Sequence, residues 1–178
     1  MTRHFALCGV GRDRPGIVAA LTAALRQHGV NIEDAQATIL RGHFTLVLVI
    51  AAPEHVVASA LEADLQAVSR ELGLEALLLS PIEGVERAPE ASHLVTVYGA
   101  DHPGIVHAVA AAVAARGVDI TDLQTRLADA SGEPLYVLMM EVALPAEVEP
   151  STLERELRDA AREQGVELTL RELEADAL

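Results

Sequence analysis

A single pattern, present twice, constrains how this chain can fold. Residues 11–18 read Gly-Arg-Asp-Arg-Pro-Gly-Ile-Val, and residues 99–106 read Gly-Ala-Asp-His-Pro-Gly-Ile-Val, an offset of 88 positions (99 − 11). Each copy follows a short apolar run and opens an apolar stretch with helical spacing. The repeat predicts two similar units, each with a strand, a Gly-rich turn and a helix. Backbone N–H groups that are free at such a turn can hold a small anion.

Length, composition and charge limit the function classes. The chain has 178 residues, of which 51% are apolar and only 2% aromatic, so two small cores of Val, Leu, Ile and Ala are expected. The net charge of −14 argues against direct binding to DNA or to an anionic membrane surface, because both need a basic face. Cys8 is the single cysteine, which excludes a disulfide within the chain. We expect a cytoplasmic protein, since no signal peptide is visible and the longest apolar run, 46–53, cannot span a bilayer.

The first half shows the element order βαββαβ. Residues 4–10 form an apolar run that predicts the first strand. Proline restricts the residue before it, so Arg14 is predicted as the N-cap and Pro15 as the first residue of a helix that Gly29 ends. Alternation over 31–39 predicts a second strand with one covered face, formed by Ala35, Ala37 and Ile39.

A hairpin turn at 41–43 leads into the third strand, 44–52, which is apolar on both faces and is therefore expected to be covered on both. An amphipathic helix over 57–72 and a fourth strand over 74–80 complete the order. This order is the ferredoxin-like pattern of the α+β class. The apolar third strand further implies pairing of the two halves, of two chains, or of both.

The second half repeats the order. Val106, Val109 and Val113 predict its first helix, and a longer hairpin is expected at 129–134. An acidic tail follows at 172–178. The predicted organisation is a first domain at 1–80, a Pro- and Glu-rich linker at 81–91, and a second domain at 92–178.

The paired Asp-x-Pro-Gly-Ile-Val motifs resemble the opening of ACT domains, the small amino-acid-sensing regulatory modules. The match extends to Gly29-Val30-Asn31-Ile32 and Gly117-Val118-Asp119-Ile120, again 88 residues apart. Two such repeats that cover nearly the whole chain resemble the glycine cleavage system transcriptional repressor family. The resemblance implies a fold of two tandem ACT domains. It also implies a regulatory protein, in transcriptional regulation of glycine and one-carbon metabolism, that binds a small amino acid, glycine or serine, at interfaces between ACT units in a homo-oligomer.

In that family the first strand–helix turn and the start of the second strand line the ligand site. Carried over by position, the ligand-binding residues are Gly11, Asp13, Gly16, Asn31 and Ile32 in the first repeat, and Gly99, Asp101, Gly104, Asp119 and Ile120 in the second. The chemistry of these residues is compatible, because helix amides attract a carboxylate and an aspartate attracts an ammonium.

Two alternatives stay open at these positions. Asp13 and Asp101 could serve only as helix caps. The second repeat has His102 and Asp119 where the first has Arg14 and Asn31, so one repeat could sense a ligand while the other is structural.

No catalytic residue, metal site or cofactor is predicted, because neither a nucleophile–base pair nor a ligand cluster with metal-binding spacing is present. The leading hypothesis is a non-catalytic, amino-acid-responsive regulator that acts through a protein partner. The alternatives are a pairing module without a ligand, and the regulatory portion of an enzyme that resembles a formyltetrahydrofolate deformylase or a phosphoserine phosphatase.

Overall fold

The structure is a computed structural model that describes residues 2–84, 88–130 and 133–173. It divides into two compact units, Met1–Glu86 and Arg87–Leu178. The first unit contains β1 (Thr2–Arg12), α1 (Ile17–Gln27), β2 (Asn31–Leu40), β3 (His43–Pro53), α2 (Ala58–Leu72) and β4 (Leu74–Ile82). The second unit contains β5 (His93–Gly99), α3 (Ile105–Ala114), β6 (Asp119–Ala130), β7 (Glu133–Ala143), α4 (Pro150–Glu163) and β8 (Glu167–Glu172).

Each unit contains one four-stranded antiparallel sheet. The strand order is β2-β3-β1-β4 in the first unit and β6-β7-β5-β8 in the second. β1 pairs with both β3 and β4, which leaves β2 and β4 as edge strands. The predicted α+β fold of two ferredoxin-like βαββαβ units is confirmed.

The core of each unit lies between its helices and one face of its sheet. In the first unit Leu7 and Ile50 of the central strands pack with Leu21 and Leu61 of the helices. In the second unit the corresponding cluster includes Leu138 of β7, Val109 of α3 and Leu157 of α4. The cores are mainly aliphatic, with Phe5 and Phe44 in the first and Tyr136 in the second.

The opposite sheet face and the β2 edge are exposed in the first unit. Val47 on β3 and Leu78 on β4 are 48% and 59% exposed. The predicted covered face of β2 is wrong for the unit by itself, because Ala35, Ala37 and Ile39 are all exposed, the last at 56%. These residues lie on an edge strand that extends beyond the cover of the two helices. The predicted cover over the second face of β3 stays a prediction.

The predicted helix start is also wrong. α1 begins at Ile17, with Gly16 rather than Arg14 as its N-cap, and Pro15 lies in the preceding turn. Gly16 has a φ of 99°, which side-chain-bearing residues rarely adopt. The Pro-Gly pair therefore makes a turn, and the chain enters the helix only after the glycine.

Smaller differences concern the ends of elements. β4 extends to Ile82, two residues beyond the predicted end, and the predicted domain limits remain a prediction. Val106 is 37% exposed, and Ile105 takes its place in the buried stripe of α3, since 105, 109 and 113 are spaced by four. The predicted hairpin at 129–134 lies partly outside the described residues, and the acidic tail does so from residue 174 onward.

Candidate ligand site at the strand–helix turns

The turn between β1 and α1 presents free backbone donors. The Ala20 amide donates to the Gly16 carbonyl oxygen over 2.9 Å, which closes the first helical turn. No side chain of the described residues caps α1. The amides of Ile17, Val18 and Ala19 therefore remain available, and the partial positive charge of the helix end favours an anion there.

Asp13 does not act as a cap in this turn. Its side chain is exposed, and its backbone amide donates to the Gly42 carbonyl over 3.0 Å, which ties the end of β1 to the β2–β3 hairpin. α3 of the second unit likewise has no side-chain cap among the described residues, so Asp101 does not cap it. Both carboxylates are exposed beside a helix N-terminus and can meet a ligand.

Gly11 and Gly99 have a packing role that motif reasoning missed. A Cβ at Gly99 would lie 2.5 Å from Cγ1 of Val166. A Cβ at Gly11 would lie 2.9 Å from Cδ2 of Leu74. Gly11 allows β1 to approach Leu74, just after α2. Gly99 allows β5 to approach Val166, just after α4. The steric contact favours glycine at both positions, more strongly at Gly99, where the nearest atom belongs to a β-branched side chain, than at Gly11, where it is the end of a leucine.

The start of β2 lies at the other end of the sheet from the turn. On β3, Gly11 pairs with Phe44, whereas Asn31 pairs with Ala51. Seven residues of β3 separate these positions, about 23 Å along the strand at 3.3 Å per residue. Asn31 is exposed and lines a shallow cavity with Gly29 and others, and its neighbour Ile32 is partly buried against the core. One unit does not bring the two predicted clusters together.

The second unit has the same separation. Gly99 pairs with Tyr136 on β7, and Asp119 pairs with Ala143, again seven residues further along. Asp119 is exposed, and Ile120 is 40% exposed. A ligand as small as a free amino acid therefore cannot contact the turn and the strand start of the same unit.

The turn of the second unit borders a cavity with titratable side chains. The cavity is lined by Asp101, His102, Pro103, Gly104, Ile105, Val106, His107 and Tyr136. Gly104 has a φ of 111° and starts α3 as Gly16 starts α1. His102 and His107 both lie in the cavity wall, and the sequence motifs did not include His107.

Tyr136 is a second residue that sequence analysis missed. It is 8% exposed, and burial, followed by the nearby charge of Asp101, raises the pKa of its phenol above the ordinary value of 10.0, while a hydrogen bond with Thr125 opposes the shift. Phe44 occupies the matching position in the first unit, opposite Gly11. The signal in the sequence was this one change from Phe to Tyr between the repeats. It makes the second turn more polar than the first.

The left-handed glycine at the start of α1 yields a direct prediction. Gly16→Ala is expected to lower the free energy of unfolding by about 1 kcal/mol, because the φ of 99° is unfavourable for an L residue while no atom lies within 4 Å of an added Cβ. Urea unfolding of the full chain measures this. The matched variant Gly16→Asn should lose less, since asparagine tolerates positive φ better. Equal losses in both variants would contradict a purely conformational cause.

Comparison with known proteins decides the family. The sequence profile of the ACT domain matches residues 8–77 and again residues 92–171. The chain belongs to the ACT domain family. The family resemblance inferred from the two Asp-x-Pro-Gly motifs is thereby confirmed.

Similar proteins include a transcriptional repressor and an enzyme. This ACT-domain chain is 25% identical over 154 residues to the glycine cleavage system transcriptional repressor of Escherichia coli, a match over 85% of this chain and 80% of that protein. It is 33% identical over 138 residues to a phosphoserine phosphatase of Mycobacterium tuberculosis, a match over 76% of this chain but 32% of that enzyme. The chain thus spans about a third of the phosphatase.

The tandem fold itself has a close structural counterpart. An unknown protein from Galdieria sulphuraria superimposes with a TM-score of 0.78 and 25% identity, over 98% of this chain and 100% of that one.

Metal-binding clusters and membrane-spanning helices are two further features that bear on function. The described parts of the chain contain no cluster of three His, Cys, Asp or Glu residues suited to a metal ion. They also contain no helix long and apolar enough to cross a membrane.

Proposed function

We propose that this ACT-domain protein is a non-catalytic regulator that senses a small free amino acid, with glycine and serine as the first candidates. The observation that carries the proposal is the uncapped helix start that follows Asp-x-Pro-Gly in each unit, with an exposed aspartate beside it. The helix amides bind the ligand carboxylate, and Asp13 or Asp101 binds its ammonium group. A small ligand fits best, because Gly16 and Gly104 present backbone rather than side chain at this point.

The separation of the two predicted clusters supports a site between two chains. β2 starts at the far end of the sheet and ends beside the turn, at the hairpin that Asp13 contacts. If two copies pair antiparallel along their β2 edges, the start of one β2 lies next to the end of the other. Asn31 of one copy then approaches the turn of its partner. Pairing also covers the exposed edge strand and Ile39, which removes an aggregation hazard.

The signal from the ligand is passed to a protein partner. The net charge of −14 disfavours binding to DNA by this chain itself. Ligand binding between two copies changes the surface that they present, and a partner that prefers one state is thereby regulated. Its similarity to a glycine cleavage system transcriptional repressor supports a role in transcriptional control of glycine and one-carbon metabolism.

Calorimetric titration of the full chain with glycine, and then with serine, tests the proposal. We expect saturable binding, and Asn31→Ala is expected to weaken it by roughly tenfold or more, the usual effect of losing a hydrogen bond to a charged ligand group. Gln27→Ala is the matched control, because Gln27 is an exposed amide on α1, outside the β2 edge along which the two copies pair. The control should bind like the unmodified protein.

The opposite results have distinct meanings. Absence of heat with every amino acid, together with a stable complex of two chains, would favour the pairing module without a ligand. The exposed apolar residues Val47 and Leu78 are the observation that favours this second candidate function, a pairing module. Equal weakening by Asn31→Ala and Gln27→Ala would contradict the assignment of Asn31 to the site.

A further inference from the structure

In the second unit, His102 joins the turn between β5 and α3 to the C-terminal end of α4. Its Nε2 lies 2.8 Å from the backbone carbonyl oxygen of Gln164, the C-cap residue of α4. Its Nδ1 lies 3.1 Å from the carbonyl oxygen of Pro103. Both ring nitrogens of His102 therefore face hydrogen-bond acceptors.

This arrangement suits only one protonation state. A neutral imidazole carries one N–H, so it can donate to one carbonyl while its other nitrogen directs a lone pair at the second oxygen. An imidazolium carries two N–H groups and donates to both. The position at the C-terminal end of α4 acts in the same direction, because the last carbonyls of a helix favour a cation.

We propose that protonated His102 clasps the second strand–helix turn to the end of α4, and that this makes the candidate ligand site of the second unit sensitive to pH. The evidence for the clasp is the pair of contacts that His102 makes with the carbonyl oxygens of Pro103 and Gln164. The effect on the ligand rests on the proposed function and deepens it by naming how this site is regulated.

The groups around His102 are consistent with this role. The pKa of His102 is raised above its ordinary value of 6.5, first by the hydrogen bond to Pro103, then by that to Gln164, against a smaller opposing effect of burial, and with a further contribution from the charge of Asp101. The other titratable groups of the cavity are His107 on α3 and Tyr136 on β7.

On α4 and β8 the charged residues within three positions of Gln164 are Arg162, Glu163 and Glu167. Any effect of the two carboxylates on His102 has the same sign as that of Asp101. Arg162, and His107 when it is protonated, act in the opposite direction.

The sign of the pH dependence follows from the raised pKa. The protonated form is favoured in the folded state, so the stability that the clasp contributes is fully present below pH 6.5 and is lost as the pH rises through the higher pKa of the folded state. Below that pKa the charges of His102 and Asp101 offset each other. Above it the imidazolium charge is lost, so a ligand carboxylate at the α3 amides loses an attractive partner, while Asp101 still faces the ligand ammonium.

The first unit provides an internal comparison. Arg14 and Leu72 occupy the positions of His102 and Gln164, as the matched contacts of Gly11 with Leu74 and of Gly99 with Val166 show. An arginine stays charged throughout the accessible pH range. The titratable contact between the turn and the end of the second helix is therefore expected in the second unit and not at the matching turn of the first.

NMR titration of the full chain without ligand, from pH 5 to 9, tests the clasp. We expect the ring of His102 to titrate above 6.5 and the amide resonances of Gly104 and Gly165, on the two sides of the clasp, to follow the same curve. Gly16 and Gly73, the counterparts in the first unit, should not follow it. A His102 pKa at or below 6.5, or glycine resonances that do not follow it, would overturn the clasp.

Two variants separate the clasp from a general loss of stability. His102→Gln should remove the titration from the resonances of Gly104 and Gly165, while His107→Gln, a change in the same cavity, should leave it intact. Loss of the response in both variants, or in neither, would contradict the assignment to His102.

The coupling to ligand is tested with glycine, by calorimetry at pH 6 and pH 8. If the second unit binds, its affinity is expected to be roughly fivefold or more weaker at pH 8 in the unmodified chain and unchanged in His102→Gln. Equal affinity at both pH values in the unmodified chain would overturn the coupling. Failure of glycine to bind at either pH would overturn the ligand part together with the proposed function, whereas the ligand-free titration still decides the clasp.

Discussion

Leu7→Ala is expected to lower the free energy of unfolding by about 2–5 kcal/mol, which is the largest effect that we expect from a single side chain. Leu7 is fully buried on the central strand β1, in the cluster that also contains Leu21 and Leu61. Truncation removes apolar contacts and leaves a cavity that the helices cannot close without moving. Equilibrium urea unfolding of the full chain, followed by circular dichroism, measures the loss.

The matched control for this variant is Leu78→Ala in the same sheet. Leu78 is opposite Cys8, one residue beyond Leu7 on β1, and its side chain points to the exposed face of the sheet. We expect a change within about 0.5 kcal/mol. A loss similar to that of Leu7→Ala would contradict the assignment of the core to the helix side and would instead indicate a stable partner on the opposite face.

Gly99→Ala is the second large prediction, with an expected loss of about 1–3 kcal/mol. The added Cβ would lie 2.5 Å from Cγ1 and 3.0 Å from Cβ of Val166. A β-branched side chain has little freedom to rotate away, so the backbone of β5 or β8 must shift. Urea unfolding in the absence of amino acids measures the loss, which separates this packing role from any role in ligand binding.

A second substitution tests the steric explanation of Gly99→Ala. Val166→Ala removes the closest atom, Cγ1, so the double variant should be more stable than the sum of the two single effects indicates. Additive losses would contradict a direct clash. Unchanged stability in Gly99→Ala would show that the strands relax freely and would return Gly99 to the set of residues explained by ligand binding alone.

Much of the fold could be predicted from the sequence because local patterns determine it. The offset of 88 residues between the two motifs predicts two equal units. The alternating, helical and fully apolar stretches predict βαββαβ in each, and Gly29 and Gly73 mark the ends of their helices as predicted. These features depend on contacts between residues near each other in the chain, which periodicity and turn chemistry report well.

The start of α1 shows where local reasoning fails. Arg14 and Pro15 satisfy the preferences of an N-cap and a first helical residue, yet the helix begins after Gly16. Proline is favoured both at the first position of a helix and in a turn before a helix, so local preference does not distinguish the two positions of Pro15. The tertiary structure decides between them, because β1 must first reach the β2–β3 hairpin, where the Asp13 amide bonds to Gly42.

The candidate site shows the same limit more strongly. The motifs identified Asp13 and Asn31 together, but seven residues of β3 separate the ends of the sheet at which they lie. Spacing along a chain gives no distance in space, so only the register of the sheet showed that one unit does not bring Asp13 and Asn31 to a common small ligand. The contact of His102 with Gln164 spans 62 residues and was equally invisible to sequence patterns.

The sequence by itself determined the family, the two-unit α+β fold, the mainly aliphatic cores and the two Gly-rich strand–helix turns, since each depends on residue type and local spacing. The tertiary structure alone decided which glycines serve packing, which side chains enclose the second turn, and which faces remain exposed. These depend on strand register and on contacts between distant segments. Close packing of the helices on the sheet determines the strand register and the contacts between distant segments. No short stretch of sequence specifies either of them.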